Sequence, residues 1–154
     1  GPVVIRWPRG AAVHVSEHEV GTGLLARQIH QGDGSVALLA IGKMVADAQK
    51  AAEALAASGI DATVWDVRSC APLDPAMIAD AATHRAVVTI EDGIRDGGIG
   101  MTIADQVHAL ASAVPVTTLG LPSRFIQQGS AERILAQLGL DADGIVAAAR
   151  AALG

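Results

Sequence analysis

The chain has 154 residues, a length typical of one domain, and a net charge of −5 from 11 Lys and Arg against 16 Asp and Glu. It has two Trp, one Phe and no Tyr, and no run of basic residues, which argues against a nucleic-acid-binding surface. The single cysteine, Cys70, excludes an intrachain disulfide, and no apolar run reaches the roughly 18 residues of a membrane span, so we expect a cytoplasmic protein without membrane contacts.

The first 20 residues carry little regular pattern. The chain begins without Met and without a signal peptide, and its opening "GPVVIRWPRG" indicates either a piece of a longer protein or a residual tag. Residues 2–6 are β-branched and predict a short strand that ends at Pro8. Residues 11–20 have no firm period and predict a linker.

A Gly-Asp-Gly sequence follows at residues 32–34. The segments 21–29 and 35–42 on either side of "HQGDG" are both candidates for extended structure. Glycine supplies the positive φ of tight turns, so the pattern predicts a β-hairpin. The alternative is a metal- and diphosphate-binding motif in which Asp33 holds Mg²⁺.

From residue 43 onward, helical and extended patterns alternate. Short connections between them predict an α/β domain with a mostly parallel sheet of about five strands, one antiparallel edge strand, and helices on both faces. Asp74 and Pro75 predict a helix start, Ser130 and either Asp141 or Asp143 predict two more, and Gly59 predicts a helix end. The predicted elements are helix 43–59, strand 60–67, helix 73–84, strand 86–92, helix 101–114, strand 116–121, and helices 130–140 and 141–153.

The glycine-rich segment 93–100 lies between a predicted strand and a predicted helix, where α/β folds bind ligands. It does not complete the dinucleotide fingerprint, because Ile103 stands where the third glycine is required. A close-packed turn is favoured over a phosphate site. The stretch "AIGKMV" is not a P-loop, because Met44 replaces the Ser or Thr that would bind Mg²⁺.

Isolated histidines and the cysteine suggest structural roles. His14 and His18 have a metal-ligand spacing only on a helix, which their segment does not predict. His84 is placed to cap a helix C-terminus, and nothing in the sequence gives His108 a partner. Cys70 follows Arg68 closely, and a nearby guanidinium would lower the thiol pKa; the favoured interpretation is instead a small buried thiol.

Two arginines stand out in "IRWPRG". Arg6 and Arg9 flank Pro8 at the end of a predicted strand, and a guanidinium binds phosphate through two hydrogen bonds. The sequence therefore offers Arg6 and Arg9 as a candidate phosphate clamp, although exposed arginine pairs are common.

Five stretches together resemble one family. "IRWPRG", "LLAIGKMV", "VWDVRSCAPLD", "VVTIEDG" with "GGIG", and "LGLPSRFIQQGS" with "ILAQLGLDADGI" are similar, in this order, to the C-terminal part of the 1-deoxy-D-xylulose-5-phosphate synthase family, which is transketolase-like. The resemblance covers essentially the whole chain. Trp7 stands where the family usually has Tyr or Phe, a mild departure.

The resemblance implies a homodimeric enzyme that uses thiamine diphosphate and Mg²⁺ to condense pyruvate with glyceraldehyde 3-phosphate. It implies residues 1–18 as the tail of the cofactor-binding domain and residues 19–154 as the third domain, which packs on upstream domains, binds no cofactor and is inactive alone. It also implies that Arg9, more than Arg6, contacts the acceptor phosphate. The alternatives are the C-terminal domain of a transketolase or of a 2-oxo-acid dehydrogenase β-subunit, or a non-catalytic α/β interaction module.

The family's Mg²⁺ motif places an Asn roughly 25–30 residues after Gly-Asp-Gly, a spacing that the resemblance supplies. This sequence contains no Asn, and residues 60–65 read "IDATVW". We therefore expect Asp33 to be a turn residue, and no metal or catalytic residue is assigned to this segment.

Overall fold

The computed structural model describes residues 1–4, 14, 16–17, 20 and 23–154. Its strands are β1 (Arg27–His30), β2 (Val36–Ala40), β3 (Thr63–Asp66), β4 (Ala86–Ile94) and β5 (Val116–Leu121). Its helices are α1 (Met44–Ala56), α2 (Pro75–Ala81), α3 (Ile99–Leu110), α4 (Ala131–Gln137) and α5 (Ala142–Leu153). In this part of the chain, no helix has both the length and the apolar character to cross a membrane.

The five strands form one mixed sheet in the order β1-β3-β2-β4-β5. The pairs β2–β3, β2–β4 and β4–β5 are parallel, and β1 pairs antiparallel with β3. The predicted fold class, with its single antiparallel edge strand, is confirmed.

The predicted hairpin is wrong. β1 and β2 are not neighbours, because β3 lies between them. All five residues of β2 are buried, so β2 needs a covered central position, whereas β1 begins and ends with exposed Arg27 and His30, which suit an edge. Residues 31–35 instead carry the chain past the start of β3, where the Asp33 N–H donates to the Asp61 carbonyl at 3.0 Å.

The sheet separates two apolar clusters. Alternate residues of β2 divide between them: Val36, Leu38 and Ala40 pack with α1 and α5, and Ala37 and Leu39 pack with α2 and α3. A strand that is covered on both faces must be apolar throughout, which is why "VALLA" shows no alternation.

The predicted helix boundaries that depend on capping residues are confirmed. The Asp74 side chain accepts from the Ala76 N–H at 2.8 Å, with Pro75 in the first turn of α2. Ser130 and Asp141 cap α4 and α5, which decides between Asp141 and Asp143. Gly59 follows α1 with a φ of +83°, a backbone conformation that favours glycine.

Candidate functional site

The Gly-Asp-Gly sequence forms a turn whose polar groups are engaged within the fold. Asp33 Oδ1 accepts from the Ser35 N–H at 2.8 Å, and the Gly32 N–H donates to Thr63 Oγ1 at 3.0 Å. Hydrogen bonds from Ser35, first from its side chain and then from its backbone, lower the pKa of the Asp33 carboxyl. The prediction that Asp33 is a turn residue is confirmed.

Backbone groups of the fold lie close to the turn that contains Asp33. A Mg²⁺ site collects several oxygen ligands around the ion. In the described part of the chain, no group of three or more His, Cys, Asp or Glu side chains could hold a metal ion. The close approach of Gly32 to the backbone of residues 61–63 also fills the space beside the turn.

The carboxyl ends of the parallel strands form the edge where ligands of α/β folds bind. The connections from β2 and from β4 leave the sheet in opposite directions, so the switch point lies between these two neighbours. Lys43 follows β2 and Asp92 lies at this end of β4. Lys43 Nζ is 2.9 Å from Asp92 Oδ2, and both side chains are 45% exposed.

The glycine-rich segment 93–100, which begins in the last two residues of β4, encloses the side chain of Glu91. Glu91 is only 7% exposed, and its Oε1 accepts from the Gly100 N–H at 3.0 Å, in the first turn of α3. A Cβ on Gly93 would lie 2.8 Å from Glu91 Oε2, and one on Gly98 would overlap with Glu91 Oε1.

The Glu91 carboxylate therefore occupies the position at the start of α3 where a bound anion would otherwise lie. Helix N-termini attract negative charge, and here Glu91 satisfies that preference. The close-packed turn is the interpretation that the structure supports over the phosphate site. Sequence reasoning missed Glu91, although a carboxyl at the end of a buried strand followed by several glycines was the available signal.

Cys70 lies in the turn after β3, and the prediction of a buried thiol is wrong because the residue is exposed. The lowered pKa is also contradicted: partial burial of the thiol, followed by the negative charge of Glu91, raises the pKa of Cys70. Nearby Arg68, with a φ of +56°, donates from Nη1 to the Leu25 carbonyl at 2.9 Å.

The thiol of Cys70 should react slowly for an exposed cysteine. A raised pKa means less thiolate at a given pH, and the thiolate is the nucleophile. At pH 8 we expect iodoacetamide to alkylate Cys70 more slowly than free cysteine, followed by intact mass. Glu91→Gln removes the nearby charge and should speed the reaction. A rate above that of free cysteine would contradict the assignment.

His84 and His108 each have a hydrogen-bonding partner within the fold. His84 Nδ1 is 2.9 Å from the Asp80 carbonyl, in the last turn of α2, so the predicted capping role is confirmed. Its Nε2 lies 2.8 Å from Thr63 Oγ1. His108, which the sequence left without a partner, lies 3.0 Å from the Val114 carbonyl. His18 lies outside the described residues, so the interpretation of His14 and His18 stays a prediction.

The two candidate phosphate-binding arginines, Arg6 and Arg9, lie outside the described residues. Their assignment therefore stays a prediction, as does the domain boundary after residue 18. At the carboxyl edge, Lys43 and Asp92 form an ion pair and Glu91 binds the start of α3; none of these three was singled out from the sequence as a site residue.

Comparison with known proteins identifies the family. Residues 26–145 match the transketolase C-terminal domain, and the chain belongs to that family. A solved structure titled "Split gene transketolase, inactive beta4 tetramer" superposes with a TM-score of 0.80 at 31% identity, over 90% of this chain and 45% of that one.

Within this family, the chain is similar to a C-terminal segment of 1-deoxy-D-xylulose-5-phosphate synthases. It is 41% identical to the synthase of Methylibium petroleiphilum over 151 residues, which is 94% of this chain and 23% of the relative. It is 42% identical to the synthase of an Anaeromyxobacter species over an alignment of 163 positions, which covers 100% of this chain and 26% of the relative. The chain thus spans about a quarter of the length of these curated relatives.

Proposed function

We propose that this chain is the C-terminal segment of an enzyme that condenses pyruvate with glyceraldehyde 3-phosphate, giving 1-deoxy-D-xylulose 5-phosphate and CO2. The observation that carries the proposal is identity of 41–42% to synthases of this name across 94–100% of the chain. The product would feed the isoprenoid precursor pathway and the synthesis of thiamine and pyridoxal.

In this proposal the segment has a supporting role. Thiamine diphosphate and Mg²⁺ belong to upstream domains, which is consistent with the engagement of Asp33 in its own turn. The segment packs on those domains and contributes to a homodimer, and alone it has no synthase activity. Large apolar side chains with at least half their surface exposed are available for such contacts, among them Ile94, Met101, Leu110 and Phe125.

A second candidate is a transketolase subunit. The likeness to the split-gene transketolase supports it, but that identity is 31%, below the 41–42% found with the synthases. Release of CO2 from pyruvate by the whole protein would favour the synthase over the transketolase.

The test of the synthase proposal concerns Arg9. Arg9 is the residue we propose to contact the acceptor phosphate, because a guanidinium suits phosphate and pyruvate carries none. In the whole protein, Arg9→Ala should raise the KM for glyceraldehyde 3-phosphate by about 10- to 150-fold, the equivalent of losing a charged hydrogen bond worth about 1.5–3 kcal/mol. The KM for pyruvate should stay nearly constant in the same assay.

Two further variants sharpen this test. Arg6→Ala should have the smaller effect on the acceptor KM, and Arg9→Lys should fall between Arg9→Ala and the parent, because lysine keeps the charge but not the paired donors. If both KM values rise equally in Arg9→Ala, Arg9 has a packing role and the phosphate assignment fails.

A further inference from the structure

The cavity at the switch point has the chemistry of a ligand site. Its volume is about 370 Å³, near the lower end of the range for small-molecule sites. One end holds the Lys43–Asp92 pair. The rest of the lining comes from the end of β5, the segment that follows it, and α4, and includes Leu121, Gln127, Gln128, Ile134 and Leu135.

The two charged side chains, Lys43 and Asp92, are accessible to solvent, and the ion pair between them is weak. An ion pair with both side chains 45% exposed contributes only about 0.2–1 kcal/mol, so opening it to admit a ligand costs little. The ammonium of Lys43 can bind a carboxylate, and the carboxylate of Asp92 can bind an ammonium. A ligand carrying both groups replaces one ion pair with two.

The same pair disfavours other classes of ligand. A phosphate dianion at Lys43 would lie beside the Asp92 carboxylate, and a metal cation at Asp92 would lie beside the Lys43 ammonium, since Nζ and Oδ2 are 2.9 Å apart. Like-charge contact therefore opposes both. The site is close to neutral overall, as a zwitterion requires.

Part of the cavity lining is apolar. Leu121, Ile134 and Leu135 are each only partly buried, so their side chains present apolar surface to the cavity. The amides of Gln127 and Gln128 add hydrogen-bonding groups at the rim. An aliphatic side chain fits this apolar part of the lining better than a charged one.

We propose that this cavity binds a small zwitterion with an aliphatic side chain, that is, an aliphatic α-amino acid, with its carboxylate on Lys43 and its ammonium on Asp92. The proposal stands independently of the synthase assignment, because it uses only residues described in the 154-residue chain.

The test is an NMR titration of the ¹⁵N-labelled chain with L-leucine. Saturable shifts are expected at residues lining the cavity, with a dissociation constant in the millimolar range (about −4 kcal/mol). 4-Methylpentanoate, which lacks the ammonium, and isopentylamine, which lacks the carboxylate, should each bind at least tenfold more weakly. Absence of saturable shifts at about 10 mM L-leucine overturns the proposal, as does equal binding of either analogue or of inorganic phosphate.

Substitutions test whether Lys43 and Asp92 themselves bind L-leucine. Lys43→Met and Asp92→Asn should each weaken L-leucine binding at least tenfold. Lys50→Met is the matched control. Lys50 lies in α1, outside the cavity lining, and pairs with Asp47 of the same helix at 3.6 Å. L-Leucine binding to this variant should be unchanged. Equal loss in all three variants overturns the proposal. Binding to the chain but not to the longer protein would show that other domains cover the cavity, and this also overturns it.

Discussion

Gly32→Ala is expected to lower the free energy of unfolding by about 3 kcal/mol, the upper end of the usual cost of overpacking. A Cβ at this position would overlap with the Asp61 carbonyl oxygen and lie 2.7 Å from both Ala62 C and Thr63 N. All three are backbone atoms, in the two residues before β3 and in its first residue, so no side-chain rotation relieves the contact. Urea unfolding followed by far-UV circular dichroism and by the fluorescence of buried Trp65 measures the loss.

Gly34→Ala is the matched control. Gly34 lies in the same turn as Gly32, but its backbone conformation favours glycine, whereas Gly32 lacks space for a Cβ. The φ of Gly34 is +86°, and a Cβ there meets no atom of the described residues within 4 Å. The free energy of unfolding should therefore fall only by the cost of holding alanine in a left-handed backbone conformation, about 1–2 kcal/mol. A loss for Gly34→Ala equal to that of Gly32→Ala would contradict the packing argument.

Glu91→Ala should destabilise the chain by about 3 kcal/mol, because a charged hydrogen bond is lost and a buried donor is left without a partner. The donor is the Gly100 N–H, which lies 3.0 Å from Glu91 Oε1 in the first turn of α3. Unfolding by urea measures the change, and hydrogen exchange at Gly100 reports on the helix start directly.

Two variants test whether the effect belongs to this contact. Glu91→Gln keeps an acceptor oxygen but not the charge, so its cost should fall between those of Glu91→Ala and the parent. Asp92→Asn alters the half-exposed neighbouring carboxyl, and should cost no more than about 1 kcal/mol. If Glu91→Ala is no more costly than Asp92→Asn, Glu91 does not hold the start of α3.

Periodicity and capping chemistry were enough to predict the alternating strands and helices. Asp74 and Ser130 were recognisable because their side chains act on backbone groups only two or three residues away. The hairpin was predicted wrongly because turn chemistry does not specify which strand pairs with which. The burial of β2 on both sides decided that, and it depends on β3 and β4, which come later in the chain.

The candidate site was less predictable than the fold. Lys43 and Asp92 are 49 positions apart in sequence, and only the strand order makes them neighbours. Glu91 was visible as a residue, but its role depends on glycines that leave room for its carboxyl group. The exposure of Cys70 was missed because a small apolar residue in a turn carries no periodic signal.

Since both faces of β2 are apolar, alternation cannot determine how this strand is aligned with β3 and β4. A shift by one position would exchange the side chains that serve the two clusters, and the strand has no polar side chain whose burial would oppose it. Hydrogen bonds just beyond its two ends support the observed alignment. The Gly34 carbonyl accepts from the Arg85 N–H at 3.0 Å before the strand, and the Ile41 N–H donates to the Ile90 carbonyl at 3.0 Å after it. The loops that flank β2 thus help to hold its register against β4. Through the Gly34 carbonyl, the Gly-Asp-Gly sequence helps to specify a single strand pairing.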